Sequence, residues 1–461
     1  MKKIILLLIC TFLSQLSFSQ VDRQLIPNRS CGTMEADAAL RLKYPELGTM
    51  NDFENWLQQK IVESKANRTT DVTTIFNIPV VVHVMHSNTN LAIGNYNITQ
   101  AQINSQITVL NQDYNKLNAD SNKIPPVFRP FAANIQINFC LAQVDPNGAQ
   151  MAEPGIDRIY APSKGVFLAN LKDDYITNSI KPVTIWDPRK YLNIWTVPDM
   201  FPASGGNMLL GFATFPGSST LPGLNSPGTV TNDGVVIWYK AFGTTGTLDG
   251  TYNKGRTATH EIGHWLGLRH TWGDGTCNAG DNSDFCDDTP PTNGANFGCP
   301  VFPLIVGHQN QAGPSCSAVS PGAMYMDYMD YVDDNCMQMF TNDQKTRIVT
   351  VMTNSPFRIA LNTSTVCNVV GVAENATDIV KANFYPNPSN GFFQLDLKLK
   401  NKSNVDIKVF STIGKLVYET TKTDFNQGLM KFDLSALSQG IYFVEISSAK
   451  GKSTQKINIT H

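Results

Sequence analysis

The segment His260-Glu261-Ile262-Gly263-His264-Trp265-Leu266-Gly267-Leu268-Arg269-His270 puts three imidazoles and one carboxylate within eleven residues. The whole chain of 461 residues holds only seven histidines, so this clustering calls for a chemical reason. On a helix His260 and His264 lie one turn apart and about 40° around the axis, so both rings can reach one ion. His270 would sit roughly 240° beyond His264 on an unbroken helix and would point away. Gly267 resolves the conflict, because glycine can take the left-handed conformation that ends a helix and turns the chain back. Three neutral imidazoles suit zinc and leave a fourth position open to water, the pattern of a catalytic rather than a structural site. Zinc lowers the pKa of a water it binds from about 15.7 to about 7. Glu261 then reads as the general base that takes the water proton and passes it to a leaving amine. A centre that takes a glutamate as third ligand is excluded by composition, since no Glu stands between Glu261 and Glu374. His270 is the expected third ligand.

These side chains need a scaffold, and the flanking sequence supplies one. A strong β run extends from Ile75 to Met85, and the stripe Ile103, Ile107, Leu110 and Tyr114 predicts a helix after it. Further strands are expected at Ile135–Ala142, Tyr191–Val197, Leu209–Phe215 and Gly234–Tyr239, with the histidine helix at Lys254–Leu268. Strands with backing helices, followed by an irregular half, predict an α+β domain. Gly, Pro and Asp dominate from Gly273 to Ala323, a loop long enough to need function, disulfides or ions to hold it. Asp281, Asp284, Asp287, Asp288 and Thr289 gather oxygens there that would suit calcium, or would simply be a solvated acidic loop. Beyond residue 370, short strands at Phe392–Leu397, Asp406–Phe410, Leu416–Glu419, Leu429–Leu434, Ile441–Ile446 and Lys456–Ile459 predict a separate small β-sandwich without catalytic residues.

Upstream, Phe53, Trp56, Leu57 and Ile61 mark one face of a helix starting near Asn51, and Lys65, Asn67 and Arg68 offer a place for cleavage. Lys2 and Lys3 precede an apolar run from Ile4 to Ile9, with Ser17 and Ser19 following, which reads as a secretory signal. That run is too short to span a bilayer, and no other segment reads as transmembrane. Export agrees with the cysteines: Cys277, Cys286, Cys299, Cys316 and Cys336 crowd the long loop, where bridges are expected but their connectivity is open. With 36 Lys+Arg against 38 Asp+Glu and a net charge of −2, there is no electrostatic case for a nucleic-acid partner.

The histidine element resembles that of the metzincin metallopeptidases, and Met329-Asp330-Tyr331-Val332-Asp333-Asp334-Asn335-Cys336 resembles the methionine turn of the pappalysin family. The resemblance covers roughly residues 73–350 and includes Leu210-Gly211-Phe212-Ala213-Thr214-Phe215-Pro216. It implies a zinc endopeptidase with a metzincin-type catalytic domain: a twisted mixed sheet, backing and active-site helices, and an irregular C-terminal subdomain. Met329 would form a hydrophobic floor under the histidines; Met326 repeats the triplet, but the Asp333-Asp334-Asn335-Cys336 continuation selects Met329. Tyr331 would stabilise an oxyanion. Asp334 would line the pocket after the scissile bond and favour Arg or Lys there. Gly211 and Ala213 would sit on an edge strand that pairs with extended substrate. The resemblance further implies bridges Cys277–Cys316 and Cys299–Cys336, leaves Cys286 unassigned, and makes Asp284 and Thr289 calcium ligands. Arg29-Ser30-Cys31-Gly32-Thr33 resembles a cysteine switch, in which the Cys31 thiolate fills the open zinc position until the pro-segment is removed. A disulfide from Cys31 to Cys140 or Cys367 is the structural alternative. Phe384-Tyr385-Pro386-Asn387-Pro388-Ser389-Asn390-Gly391 and Gly440-Ile441-Tyr442-Phe443-Val444 resemble the sorting domain of type IX secretion cargo in Bacteroidetes, which implies passage across the outer membrane.

The expected organisation is a signal peptide at 1–19, a pro-segment at 20–68, a catalytic domain at 69–368, a linker at 369–382 and the sorting domain at 383–461. The expected activity is that of a secreted, latent zinc endopeptidase acting on proteins or peptides. The competing reading is a surface adhesion or matrix-binding protein with structural zinc; an intact Glu261 argues against it, since a structural site has no use for a base.

Overall fold

A computed structural model describes residues 29–66, 75–87, 96–217, 227–273, 283–292, 294–305, 321–367, 378–412, 414–449 and 451–460. The expected signal peptide, Cys277, Cys316 and Asp281 lie outside the described residues. The chain divides into two compact units between Asn368 and Val369.

The first unit begins with α1 (Thr33–Lys43) and α2 (Met50–Ala66). Its centre is β1 (Phe76–His86), buried at every residue but Asn77, as a strand covered on both faces must be. Strands β2 (Ile137–Leu141), β3 (Ile156–Tyr160), β5 (Leu192–Val197) and β8 (Val235–Trp238) run parallel to it, and β7 (Gly211–Ala213) closes one rim antiparallel to β8. The order across the sheet is β2-β1-β5-β8-β7, with β3 also on β1. Strands β4 (Leu171–Lys172) and β6 (Met200–Phe201) form a separate pair, and the short helices α4 (Asp173–Tyr175), α5 (Lys181–Thr184) and α6 (Pro227–Asn232) lie between strands in sequence.

Helix α3 (Gln100–Asp113) is capped by Thr99, whose hydroxyl accepts from the Gln102 N–H, and buries Ile103, Ile107 and Leu110. Next to it runs α7 (Arg256–Trp265). The two are locked by polar contacts: Tyr114 Oη donates to Thr259 O at 3.0 Å, Thr259 Oγ1 to Asp113 Oδ2 at 2.7 Å, and Gln106 Nε2 to Gly255 O at 3.0 Å. The histidine helix is shorter than its expected span because Gly255, at φ 73°, starts it and Leu266 caps it. Helices α8 (Asn342–Asn354), with a Thr341–Gln344 capping box, and α9 (Pro356–Leu361) complete the unit. Among the described residues two disulfides staple it: Cys299–Cys336 holds the irregular stretch, and Cys140–Cys367 ties β2 to the end of the unit. Cys31 is therefore not bridged to either Cys140 or Cys367; it and Cys286 are free and buried.

Among its described residues the second unit is all β, a five-stranded sheet of β9 (Ile379–Tyr385), β10 (Phe392–Ser411), β11 (Leu416–Asp433), β12 (Gly440–Ser448) and β13 (Gly451–Ile459). Two pairs of expected short strands are each one long strand, because the polar stretch between Lys398 and Val405 is absorbed as register shifts rather than a turn. Strand β9 begins inside the span expected to be linker. Alternate residues such as Leu395, Leu397, Ile407, Val409, Val444 and Ile446 form its core.

Candidate metal centre and active site

Helix α7 is buried along its whole length, so its polar residues must find partners inside the protein. His260 Nδ1 meets the Tyr328 carbonyl at 2.7 Å, and His264 Nδ1 meets the Leu268 carbonyl at 2.8 Å. A carbonyl can only accept, so each Nδ1 carries the proton and each Nε2 is left with its lone pair. The chain leaves the helix at Gly267, φ 87°, and brings His270 back onto the same point. Nε2 of His264 lies 3.2 Å from that of His260 and 3.1 Å from that of His270. The lone pairs of His260 and His264 this close repel unless a cation lies between them. Burial, with the neighbouring His264 and His270, pushes the His260 pKa well below its ordinary value, which keeps the ring neutral and ready to ligate.

The fourth donor is Cys31. Its Sγ and the three imidazoles all lie within 4.8 Å of one another, and all four residues are buried. Burial, and the charge of Glu261, hold the thiol pKa well above its usual value; a dication at the centre reverses that sign and makes the thiolate the stable form. A His₃Cys set, with two of its rings oriented by backbone carbonyls, fits zinc.

Glu261 does not join the cluster. Its Oε2 accepts from Thr33 Oγ1 at 2.9 Å and from Cys31 Sγ at 3.2 Å. Burial pushes its carboxyl up to about 7, against those two hydrogen bonds, which lower it. It packs against β7: a Cβ on Gly211 would meet Glu261 Cγ at 2.7 Å and the Val236 carbonyl at 3.0 Å. Met329, wholly buried, lies beneath the helix, with its sulfur 2.4 Å from where a Cβ on Gly263 would sit. Tyr331 Oη accepts from the Cys31 N–H at 3.3 Å, and its ring lies edge-on to His270 at 4.9 Å.

The rim strand β7 is occupied. Gly32 N–H donates to Gly211 O, Leu210 N–H to Ser30 O, and Ala213 N–H to Thr33 Oγ1. Asp334 is fully buried; its Oδ2 accepts from the backbone N–H groups of Lys254 and Arg256, while Oδ1 takes the Arg29 guanidinium at 2.5 Å. The Tyr252 ring lies 5.2 Å from that guanidinium. Sequence reasoning gave no role to Arg29 or Thr33. Positions 29, 31 and 33 alternate, so an extended segment would turn all three to one side; that spacing was the available signal.

Asp284 and Thr289 share one turn, Thr289 Oγ1 donating to Asp284 Oδ2 at 2.6 Å. Among the described residues they do not belong to a cluster of three or more metal-binding side chains. No helix among the described residues is long and apolar enough to cross a membrane.

Comparison with known proteins gives the family. Residues 172–353 match the family described as pregnancy-associated plasma protein-A, and residues 383–460 match the secretion system C-terminal sorting domain. The chain is 33% identical over 282 residues to an extracellular metalloprotease of Podospora anserina, covering 60% of this chain and 74% of that protein. Among solved structures, a mutant of Tannerella forsythia promirolysin aligns at 37% identity and a TM-score of 0.56, over 72% of this chain and 97% of that one. Mature mirolysin in complex with a cleaved peptide aligns at 39% identity and a TM-score of 0.51, over 63% and 97%. This chain belongs to the pappalysin family of metzincin metalloproteases, carrying a type IX sorting domain at its C-terminus.

Proposed function

We propose that the protein is a secreted zinc endopeptidase, exported latent, with Glu261 as its general base and a preference for Arg or Lys after the scissile bond. One observation carries the reading: three Nε2 atoms and the Cys31 sulfur converge beside a carboxylate that stays out of the cluster. Zinc held by His260, His264 and His270 supplies a Lewis acid that makes water a nucleophile near neutral pH. Every other part of the task falls to this chain's side chains and backbone. Once residues 29–33 leave, the Gly211 carbonyl and Ala213 N–H are free to hold an extended peptide on the rim strand. Glu261 Oε2, released from Thr33 and Cys31, accepts a proton from water and delivers it to the departing amine nitrogen. The Tyr331 hydroxyl donates to the carbonyl oxygen as charge develops on it. Arg29 in the Asp334 pocket stands where a basic substrate side chain would go, which supports the preference. Latency is supported by the greater share of this chain that aligns with promirolysin than with the mature form. Calcium at the Asp284–Thr289 turn belongs to the same proposal, since burial drives the Asp284 carboxyl up to about 7 and a cation would relieve that cost.

The test is casein hydrolysis by the processed protein. Chelation should abolish it and added zinc restore it, and Glu261→Ala should cost about 10²–10⁴-fold in rate while leaving the zinc content at one per chain. Hydrolysis by Glu261→Ala at the parent rate would refute the assignment.

A further inference from the structure

Besides an exposed hydrogen bond from Lys43 Nζ to Asn178 Oδ1, the segment before residue 67 holds the protein at two separate buried places. One is the cleft, through Arg29, Cys31 and Thr33. The other is built from different residues. Arg347 of α8 and Glu54 of α2 are both almost wholly buried, at 1% and 2% side-chain exposure, and meet as a two-pronged ion pair at 2.9 and 3.0 Å. Arg347 Nη2 also donates to the carbonyl of Gly267 at 2.8 Å. Around the pair, Phe53, Trp56, Leu57 and Ile61 bury an apolar helix face against Phe215 and Val351, with Phe53 edge-on to Phe215 at 6.0 Å. A bidentate carboxylate–guanidinium pair inside an apolar collar is the usual make-up of a tight, specific contact.

We propose that this is a second, metal-independent anchor for the pro-segment, a site on α8 and the Phe215 and Gly267 turns that takes an amphipathic helix bearing one carboxylate. It deepens the latency reading above and rests on it. Two anchors on one segment reinforce each other, because each holds the other at high effective concentration. A single cut in the connection between α2 and β1 therefore leaves a nicked complex with its cleft still filled. The enzyme opens only when a further cut separates the two anchors, in the stretch where Leu42 and Lys43 are exposed.

The experiment uses the full chain, zinc-loaded, carrying a recognition sequence for an external site-specific endopeptidase between residues 67 and 74. A Glu261→Gln background prevents self-digestion. After the cut, the N-terminal fragment should co-elute with the remainder on gel filtration; separate elution overturns the proposal. It should co-elute equally when Cys31→Ala removes the thiolate; release by that change overturns it, because the metal would then carry the whole association. Glu54→Ala should speed dissociation at least about 30-fold, and an unchanged rate overturns it. Where Glu54→Ala does not fold, Glu54→Gln keeps the shape without the charge, and the same increase in direction is required. None of these readouts involves hydrolysis, so failure of the peptidase reading shows only in the casein assay.

Discussion

Glu261 owes its place to a missing methyl group. The space taken by its Cγ is the space a Cβ at position 211 would need. Gly211→Ala should therefore shift the carboxylate and lower kcat by about 10–100-fold, the scale on which small misplacements of a catalytic group act, with zinc content unchanged. Steady-state kinetics with zinc analysis checks this, and an unaltered kcat would mean that the clearance does not position the base. Asp334 makes the complementary case for specificity. Asp334→Asn keeps an acceptor for the Lys254 and Arg256 N–H groups but removes the charge that holds Arg29. Peptide-library profiling should show cleavage before Arg falling by about 30-fold or more relative to neutral residues; an unchanged profile would remove Asp334 from the pocket's chemistry.

Elements place these residues, and Gly267 is the hinge on which α7 depends. Its φ of 87° suits glycine, and an added Cβ would sit 2.9 Å from Val351 Cγ2. Gly267→Ala should cost about 1–3 kcal/mol of stability and swing His270 off the cluster, read as weaker zinc retention in a competition titration. The turn was legible in sequence because helix periodicity alone makes His270 unreachable without it. So were β1 and α3, whose apolar spacing is set by local geometry. What escaped was long-range. Nothing in the order of residues says that Glu54 meets Arg347, that Thr33 meets Glu261, or that Cys140 meets Cys367. Helix α8 also went unread, because its buried side includes Gln344, Arg347 and Thr350 among the apolar residues. The C-terminal strands were placed, but their fusion into two long ones was hidden by polar residues that a bulge accommodates.

At the scale of the whole molecule, one buried cation links stability to pH. Lys181 Nζ lies 5.2 and 4.9 Å from the Trp195 and Phe212 ring centroids, and donates only to Thr214 Oγ1 and the Asn232 carbonyl in the contacts resolved for it. Burial pulls its ammonium down to about 7, with Asp233 pushing the other way. Unfolded, it titrates at about 10.4. Between those values the unfolded chain binds the extra proton, so the contribution is present above about pH 10 and is lost as pH falls to about 7. The unfolding free energy of the parent minus that of Lys181→Met should therefore rise across that window and lie flat below it. Denaturant titrations at several pH values check this, and a flat difference throughout would contradict it.

The bridge between β2 and Cys367 has a consequence for the life of the molecule. It fastens the last described residue of the first unit to a rim of the main sheet, one position short of the boundary at Asn368. Thiol pairs of this kind close only outside a reducing cytoplasm. A cut anywhere beyond Cys367 would therefore leave the tie between β2 and the end of the first unit intact.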